Sequence, residues 1–337
     1  MSPRMRWRRF APLALWPILC SPALGQELYL LAGGQYTQGL KESTYSYSME
    51  YLENLNDYTF ATFTWLNEGH VTNHHRDGYS AQFWLRLPSA SRRFNFSVGV
   101  GPYRYYDTTE PTAAGVTDVH GWGVLGSAAV HWYFHNPWVM ELRYNYAHTT
   151  GSITTHTALI GFGYQFEHSS TPGPVWNTKR YGFYPSGQRW EVTGMAGSTV
   201  VNNFNSPHGV AWGAELRYRL TPYIDAIGTY LDEGDARVVK RKGGAGQLGL
   251  KREFLHHHAD VGVAGGFYFA RDEDYKGPPT QVLGGLVTTR TQVLGLLTMT
   301  ATYRFEAGFR LRAYWYRTLT TNGRDTDVVM LGLGFAF

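Results

Sequence analysis

The sequence is poor in cysteine and in long apolar segments. Its single cysteine, Cys20, lies within the first 25 residues, which have the features of a leader described below. The chain after residue 25 therefore has no cysteine, which excludes disulfide bonds, thiolate-ligated metals and a thiol nucleophile. No stretch reaches the roughly 20 consecutive apolar residues that a transmembrane helix requires. Helical periodicity is not sustained over three turns anywhere, so the sequence predicts no membrane-spanning helix.

The excess of basic residues is confined to the amino terminus. This end carries four arginines, then an apolar run over 10–20, then small residues: Arg4, Arg6, Arg8, Arg9, Ala23 and Gly25. Such an order predicts a secretory signal peptide over residues 1–25. Of the 30 Lys and Arg, 26 remain after it, against 26 Asp and Glu. The remaining chain is neutral by formal charge, and we predict no nucleic-acid partner.

The sequence is rich in aromatic residues and glycine, with 24 Tyr, 18 Phe, 11 Trp and 39 Gly. Alternation with a period of two recurs along most of its length. One face of the segment 122–134 carries aromatic residues at both ends and small or aliphatic residues between them: Trp122, Val124, Gly126, Ala128, Val130, Trp132 and Phe134. This profile is typical of a strand that faces lipid and crosses both membrane interfaces.

The alternation predicts eight strands in each half of the chain. In the first half they cover 27–38, 43–54, 57–67, 77–88, 93–106, 120–134, 137–149 and 153–166. In the second half they cover 188–200, 208–220, 222–233, 242–252, 258–271, 289–305, 307–318 and 325–337. The fold class is therefore predicted as all-β, a transmembrane antiparallel up-and-down β-barrel with two homologous halves. Shorter turns follow the even-numbered strands, which predicts that both ends of each half are periplasmic.

The two halves resemble each other in sequence. The segment ending in Asn67-Glu68-Gly69 aligns with the one ending in Asp232-Glu233-Gly234, each in the third strand of its half. We interpret the match as an internal duplication. The predicted units are 26–167 and 188–337, joined by a periplasmic linker over 168–187. Two arrangements remain open at this point, two tandem eight-stranded barrels with filled interiors or one barrel of ~16 strands with an aqueous channel.

These features resemble the outer-membrane β-barrel proteins of Gram-negative bacteria. The resemblance implies an outer-membrane location, with outer-membrane lipids and lipopolysaccharide as partners. It also implies that the barrel-assembly machinery recognises the closing strand, which ends at Phe337 after alternating apolar residues. Inward-facing charges such as Glu141 and Arg143 would form a hydrogen-bonded plug in a small barrel, and would set ion selectivity in a large one.

The most unusual segment is 65–78, predicted as an outer loop between the third and fourth strands. Candidate ligand-binding residues there and at a neighbouring strand end are Glu68, His70, His74, His75, Arg76, Asp77 and His120. The second half keeps Glu233 but none of these histidines, so the candidate site belongs to the first half. Three hypotheses compete. The loop is simply solvated, or His70, His74 and His75 bind a metal, or the rim binds a glycan or lipopolysaccharide through Trp65, Tyr105, Tyr106, Trp122 and Arg76.

A second candidate segment is 143–152, near the predicted seventh and eighth strands. Its His and hydroxyl residues are similar to a region of the outer-membrane lipid A 3-O-deacylases. That resemblance implies a hydroxyl nucleophile activated by histidine and acting on an acyl ester. The candidate catalytic residues are His148, Thr150 and Ser152; the serine of the family falls at Thr150 here, and the closing strand lacks the glutamate of that family.

From the sequence we expect an integral outer-membrane β-barrel protein that binds or passes an envelope or surface component, with a surface glycan as one candidate. The alternatives are a general diffusion porin and a lipid A-modifying hydrolase. The sequence favours a non-enzymatic role and predicts no cofactor.

Overall fold

The computed structural model describes residues 25–109, 118–167, 169–176, 187–202, 207–255, 257–275, 287–320 and 323–337. The predicted signal peptide up to residue 24 lies outside the described residues. So do residues 168 and 177–186 of the predicted linker and parts of two predicted outer loops, 110–117 and 276–286. In the described part of the chain, no helix is long and apolar enough to cross a membrane.

The first half of the chain forms a closed barrel of eight antiparallel strands, called the first barrel here. Its strands are β1 (Gly25–Thr37), β2 (Glu42–Asn54), β3 (Thr59–Val71), β4 (His74–Pro88), β5 (Phe94–Thr108), β6 (Asp118–Tyr133), β7 (Trp138–Thr149) and β8 (Thr155–Gln165). Each strand pairs with the next, and β8 closes the sheet on β1, with Gly163 opposite Tyr29. All the edges of the sheet are thus paired.

The second half forms an equivalent second barrel. Its strands are β9 (Trp190–Val201), β10 (His208–Arg219), β11 (Ile224–Asp235), β12 (Val239–Phe254), β13 (Ala259–Tyr275), β14 (Val287–Arg304), β15 (Phe309–Leu319) and β16 (Thr326–Ala336). Strand β16 closes on β9. The predicted pair of eight-stranded barrels is confirmed, and the alternative of one sixteen-stranded barrel is wrong.

Alternation sorts the side chains of both barrels into a polar interior and an apolar wall. Along β7, Glu141, Arg143 and Asn145 point inward and are buried, whereas Leu142 and Tyr144 point outward and are exposed. The same outward exposure recurs around both barrels, at Leu30, Phe83, Leu85, Val98, Ile160, Phe162, Val210, Leu248, Phe267, Leu331 and Leu333. A water-soluble sheet buries such a face, so this wall fits a hydrocarbon surrounding.

Charged and aromatic side chains fill the centre of the first barrel. The guanidinium of Arg143 pairs with the carboxylates of Glu50 and Glu141, and its Cζ lies 4.9 Å from the ring centroid of Trp84. All four side chains are buried. In the second barrel, Arg312 pairs in the same way with Glu191 and Glu215. The interior of each barrel is therefore packed with side chains, as expected for ~8 strands.

The predicted outer loop between the third and fourth strands is wrong for residues 68–76, because β3 and β4 continue through them and turn at Thr72 and Asn73. Asn73 has a positive φ of 62°, which suits a tight turn. The register shifts between Asn67 and His70, so that Gly69 adopts a φ of 67°. The backbone N–H of Gly69 donates to the side-chain oxygen of Asn67 at 2.9 Å. Periodicity alone cannot show such a bulge, since it interrupts the alternation.

Replacing Gly69 by alanine tests this bulge. A Cβ at Gly69 would lie 2.3 Å from the carbonyl oxygen of Tyr45, and the residue would keep a left-handed backbone. We expect Gly69→Ala to lower the free energy of unfolding by about 1–3 kcal/mol, measured by urea titration in detergent. Gly126→Ala is the matched control, since a Cβ there meets nothing within 4 Å. Equal stability of the two variants would contradict the bulge.

Candidate functional site

Two of the candidate ligand-binding residues, Glu68 and Arg76, lie inside the first barrel. Arg76 donates from Nη2 to Glu68 Oε1 at 2.8 Å and to Thr155 Oγ1 at 2.7 Å. The hydroxyl of Tyr103 donates to Glu68 Oε2 at 2.7 Å. Both charged side chains are almost fully buried. This group closes the end of the barrel interior that the sequence predicts to be the outer one, called the outer end here. Its charges are neutralised within the protein.

His74 and Ser152 meet at Asp107 on the inner side of the rim. The Nδ1 atom of His74 lies 2.7 Å from Asp107 Oδ2, and Ser152 donates its hydroxyl proton to the same oxygen. Arg76 Nη1 lies 3.2 Å from Ser152 Oγ. Because the serine hydroxyl donates to the carboxylate, the carboxylate stands between serine and imidazole. In this arrangement His74 does not act as the base for Ser152, since base and nucleophile must share a hydrogen bond.

The histidines proposed as metal ligands point to opposite sides of the barrel wall. His74 faces inward, whereas His70 and His75 face outward and stack with ring centroids 3.9 Å apart. The hydroxyl of Tyr45 lies 3.0 Å from Nδ1 of His70. Within the described ranges, no group of three or more His, Cys, Asp or Glu side chains is placed to hold a metal ion.

The remaining catalytic candidates lie on the outer wall. His148 points outward, and its ring stacks on Tyr146 with centroids 6.2 Å apart. Strand register places Val124 beside His148 on β6. Thr150 is exposed just beyond β7, whereas Ser152 turns inward to Asp107. His148 and Ser152 thus lie on opposite faces of the wall.

The aromatic residues of the proposed glycan-binding rim are also dispersed. Tyr105 is buried inside the barrel, 5.8 Å from the guanidinium carbon of Arg76. Trp122 is exposed on the outer wall, with Arg104 over its ring at 5.3 Å. Trp65 and Tyr106 face the second barrel instead, as described next. The five residues proposed from the sequence, Arg76 included, therefore do not form one surface.

Asp77 and Arg317 join the two barrels. Arg317 of β15 points out of the second barrel, and its Nη1 lies 2.7 Å from Asp77 Oδ2 on β4. Arg317 also pairs with Asp327 at 3.1 Å. Trp65 and Trp315 donate their indole N–H groups to Asp77 and Asp327 and touch each other with centroids 4.4 Å apart. These five residues, called the inter-barrel ion cluster here, lie near the outer ends of both barrels.

His120 contributes a second contact between the barrels. Its Nε2 lies 3.0 Å from Asp325 Oδ2, in the turn before β16. Burial opposes ionisation of Asp325, but the hydrogen bond from His120 and the charge of Arg317 lower the pKa of its carboxyl below the ordinary value. The Tyr106 ring lies between His120 and Arg317, with its centroid 5.0 Å from that of the His120 ring and 4.8 Å from Cζ of Arg317. His120 and Asp77 are therefore contact residues between the barrels.

The two barrels repeat the same buried contacts. Glu233 pairs with Arg241 at 3.4 Å and accepts from Thr326, as Glu68 pairs with Arg76 and accepts from Thr155. Gly234 has a φ of 70° and donates to Asp232, as Gly69 does to Asn67. Deeper in each barrel the same glutamine-to-hydroxyl bond of 2.9 Å recurs, Gln82 to Ser127 and Gln247 to Thr298. Equivalent positions of the two walls can therefore be compared directly.

That comparison identifies two residues that the sequence reasoning missed, Lys242 and Arg271. Lys242 occupies the position equivalent to Asp77, because each follows the buried arginine of its barrel. Arg271 occupies the position equivalent to Tyr106, because each precedes the aspartate opposite that arginine. Lys242 and Arg271 are direct cross-strand partners, and both are exposed on the outer wall of the second barrel. We call them the cation pair. The alignment that matches Glu68 with Glu233 in the third strand of each half could have found them, if it had been extended through the fourth and fifth strands.

The cation pair lies at the outer boundary of the apolar wall. One step further out, Lys240 faces Glu273, with their charged atoms 3.6 Å apart. One step further in, Phe269 is exposed among apolar neighbours such as Val293. Within the described residues, neither member of the pair has a carboxylate within 4.0 Å. The second barrel thus presents two adjacent positive charges on its outer wall, neither of them in an ion pair with a described carboxylate.

No protein-family model and no curated protein matches the sequence. Solved structures are similar in fold at low identity. The N-terminal β-barrel domain of OprF from Pseudomonas aeruginosa is 13% identical, with a TM-score of 0.34, over 42% of this chain and 98% of that one. Ail, the attachment invasion locus protein of Yersinia pestis, is 11% identical, with a TM-score of 0.34, over 42% and 96%. An outer-membrane channel from Pseudomonas putida F1 is 10% identical, with a TM-score of 0.21, over 98% and 100%. With its closed barrels, polar interiors and apolar walls, the chain is an integral β-barrel protein of the outer membrane.

Proposed function

We propose that this protein binds the phosphorylated headgroup of lipopolysaccharide at the outer wall of its second barrel and does not conduct solutes. The observation that carries the proposal is the cation pair of Lys242 and Arg271. Like charges directly opposite each other on a sheet destabilise it. A bound anion removes that cost, and a guanidinium beside an ammonium suits a phosphate group.

The surroundings of the cation pair support an external anion. Asp232 is the register partner of Lys242 on β11, but the two side chains form no ion pair, and Oδ1 of Asp232 accepts the backbone N–H of Gly234 at 2.9 Å. Phe269, one step further in, offers an apolar surface to the acyl chains of the same molecule. The ligand therefore combines phosphate and hydrocarbon, which is the chemistry of a glycolipid such as lipopolysaccharide.

The packed interiors argue against a diffusion porin. The centre of the first barrel holds Arg143 between Glu50 and Glu141, and the centre of the second holds Arg312 between Glu191 and Glu215. Solute passage would require these buried ion pairs to separate. Each separation would leave an uncompensated charge at a cost of several kcal/mol.

The test is lipid A binding by the purified protein in detergent. We expect the variant Lys242→Gln with Arg271→Gln to bind phosphorylated lipid A at least about tenfold more weakly than the wild type, since two charge-assisted hydrogen bonds are lost. Binding by the wild type should weaken with added salt and with dephosphorylated lipid A. Lys240→Gln is the matched control, because Lys240 is a neighbouring cation already paired with Glu273. Unchanged binding by the double variant would overturn the proposal.

The proposal narrows the expectations from sequence. Of the expected partners, lipopolysaccharide is the proposed ligand, and its sugar portion would account for the glycan expected from the sequence. Recognition of the strand ending at Phe337 by the barrel-assembly machinery stays a prediction. We also infer that the two halves arose by duplication, supported by the repeated contacts of Glu68 and Glu233, after which the two walls diverged in charge.

A further inference from the structure

An apolar crevice of about 460 Å³ lies between the two barrels, below the inter-barrel ion cluster. Outward residues of both walls line it, Met49 and Phe63 from the first barrel and Val263, Met299, Ala301 and Ala313 from the second. Ala301 and Ala313 are direct register partners on β14 and β15. Two small side chains at one height make the second wall concave there, so the barrels do not meet.

The two ends of the crevice differ in polarity. Toward the outer side, the contact between Trp65 and Trp315 closes it, with centroids 4.4 Å apart. Toward the periplasmic side, Arg252 Nη2 lies 3.0 Å from Glu53 Oε1, and both residues line the crevice. Arg252 also lies over the ring of Tyr223, 5.0 Å from its centroid. The crevice is thus an apolar slot with one zwitterionic mouth.

The barrels are held together on both sides of the crevice. The inter-barrel ion cluster fixes them at the outer side. At the periplasmic side, Phe166 stacks on Phe254 with centroids 3.8 Å apart and an interplanar angle of 17°. The barrels therefore cannot close the crevice by approaching each other without breaking one of these contacts. An empty slot of this size would forfeit dispersion contacts along both walls.

We propose that this crevice binds an acyl chain of a glycerophospholipid from the periplasmic leaflet, with the lipid phosphate at Arg252. Water is a poor occupant, since a buried water needs about 2–4 polar partners and the walls offer few. Hydrocarbon is the solvent that both walls already contact. The pair at the mouth complements a zwitterionic headgroup, with the phosphate toward Arg252 and an ammonium toward Glu53. Strands β12 and β13 contribute to both sites, but Arg252 and Val263 lie toward the opposite ends of these strands from the cation pair. The crevice therefore takes a lipid of the other leaflet and is independent of lipopolysaccharide binding.

The first test counts phospholipid that stays bound after purification and repeated detergent exchange. For the wild type we expect about one phospholipid per chain, in line with a pocket in the ~300–1,000 Å³ range. Filling the crevice with Ala301→Phe and Ala313→Phe should remove it. Ala158→Phe, an exposed position on the outer wall of β8, is the matched control and should retain it. Heat-modifiable migration in gels confirms that each variant is folded.

The second test uses vesicles of phosphatidylethanolamine carrying a photoreactive group on the acyl chain. We expect cross-links concentrated on peptides containing Met49 and Met299, and their loss in the variant with Ala301→Phe and Ala313→Phe. Retention of the same phospholipid by the double variant and the wild type would overturn the proposal. So would cross-linking no stronger at these peptides than at the lipid-facing peptide around Leu142, or a wild type that retains no phospholipid.

Discussion

Substituting Arg143 by methionine should lower the free energy of unfolding of the first barrel by about 3–5 kcal/mol. Arg143 is fully buried and is the partner of two carboxylates, Glu50 and Glu141. Methionine fills part of the volume beside Trp84 but leaves both carboxylates without a counter-ion. Breaking a buried pair from one side costs more than the pair contributes, because the remaining charge loses its solvation and its partner together.

Urea titration in detergent, followed by tryptophan fluorescence and by gel migration without heating, measures this loss. Arg92→Gln is the control, since Arg92 and Asp57 form an ion pair whose side chains are 40% and 35% exposed. Exposed pairs contribute about 0–1 kcal/mol, so this variant should unfold near the wild-type midpoint. If Arg143→Met is as stable as Arg92→Gln, the ion pairs do not hold the interior together.

Substituting Arg317 by methionine should uncouple the two barrels while leaving each one folded. The guanidinium is almost fully buried between Asp77 and Asp327, so its loss leaves two facing carboxylates. We expect the association of the barrels to weaken by about 2–5 kcal/mol, the range for truncating one partner of a buried charge pair. Because Arg317 points out of its own barrel, the interior of the second barrel is not affected.

A protease site inserted between residues 176 and 187 makes this measurable. After cleavage, the wild-type halves should migrate together in size-exclusion chromatography, and the Arg317→Met halves should separate. Arg290→Gln is the control, because Arg290 pairs with Asp274 within the second barrel. Halves that stay together without Arg317, or that separate in the wild type, would show that the ion cluster does not join the barrels.

The contact between the barrels joins two different surfaces, so it would propagate into a chain of molecules if the free walls carried the same residues. They do not. On the wall of the first barrel that does not contact the second, His156 occupies the position equivalent to Asp327, since each follows the threonine that binds the buried glutamate. The register partner of His156 is Tyr146, whereas that of Asp327 is Arg317. The free wall of the second barrel has Lys242 in place of Asp77. We infer that these changes limit the contact to two barrels.

The fold was largely predictable because alternate residues of a membrane-spanning barrel strand face lipid and the barrel interior, and these two environments require apolar and polar side chains respectively. From Met140 to Tyr146, each outward residue is apolar or aromatic and each inward residue is polar. The number of strands followed from counting such segments, whereas the choice between two eight-stranded barrels and one sixteen-stranded barrel did not. Strand ends failed at Gly69 and Gly234, where a bulge with positive φ breaks the alternation.

The candidate site was less predictable, for a physical reason. Alternation tells which face of the wall a residue occupies, but not what lies against that face. Glu68 and Arg76 carry the same charges whether they bind a ligand or neutralise each other, and the structure pairs them. The sequence predicts Asp77 as a ligand-binding residue of the outer loop, whereas the structure pairs it with Arg317 of the second barrel. Lys242 and Arg271 lie in different predicted strands, and only the register brings them together.

Conductance of the purified, refolded protein in a planar lipid bilayer tests the central claim most directly, which is that two closed and filled barrels bind a component of the envelope rather than pass it. We expect a folded, heat-modifiable protein that gives no stable channel of porin size, and the same lack of conductance from the variant Lys242→Gln with Arg271→Gln. A stable, ion-selective conductance that changes when Arg143 or Arg312 is replaced would contradict the account, since current would then pass through the interiors described as filled.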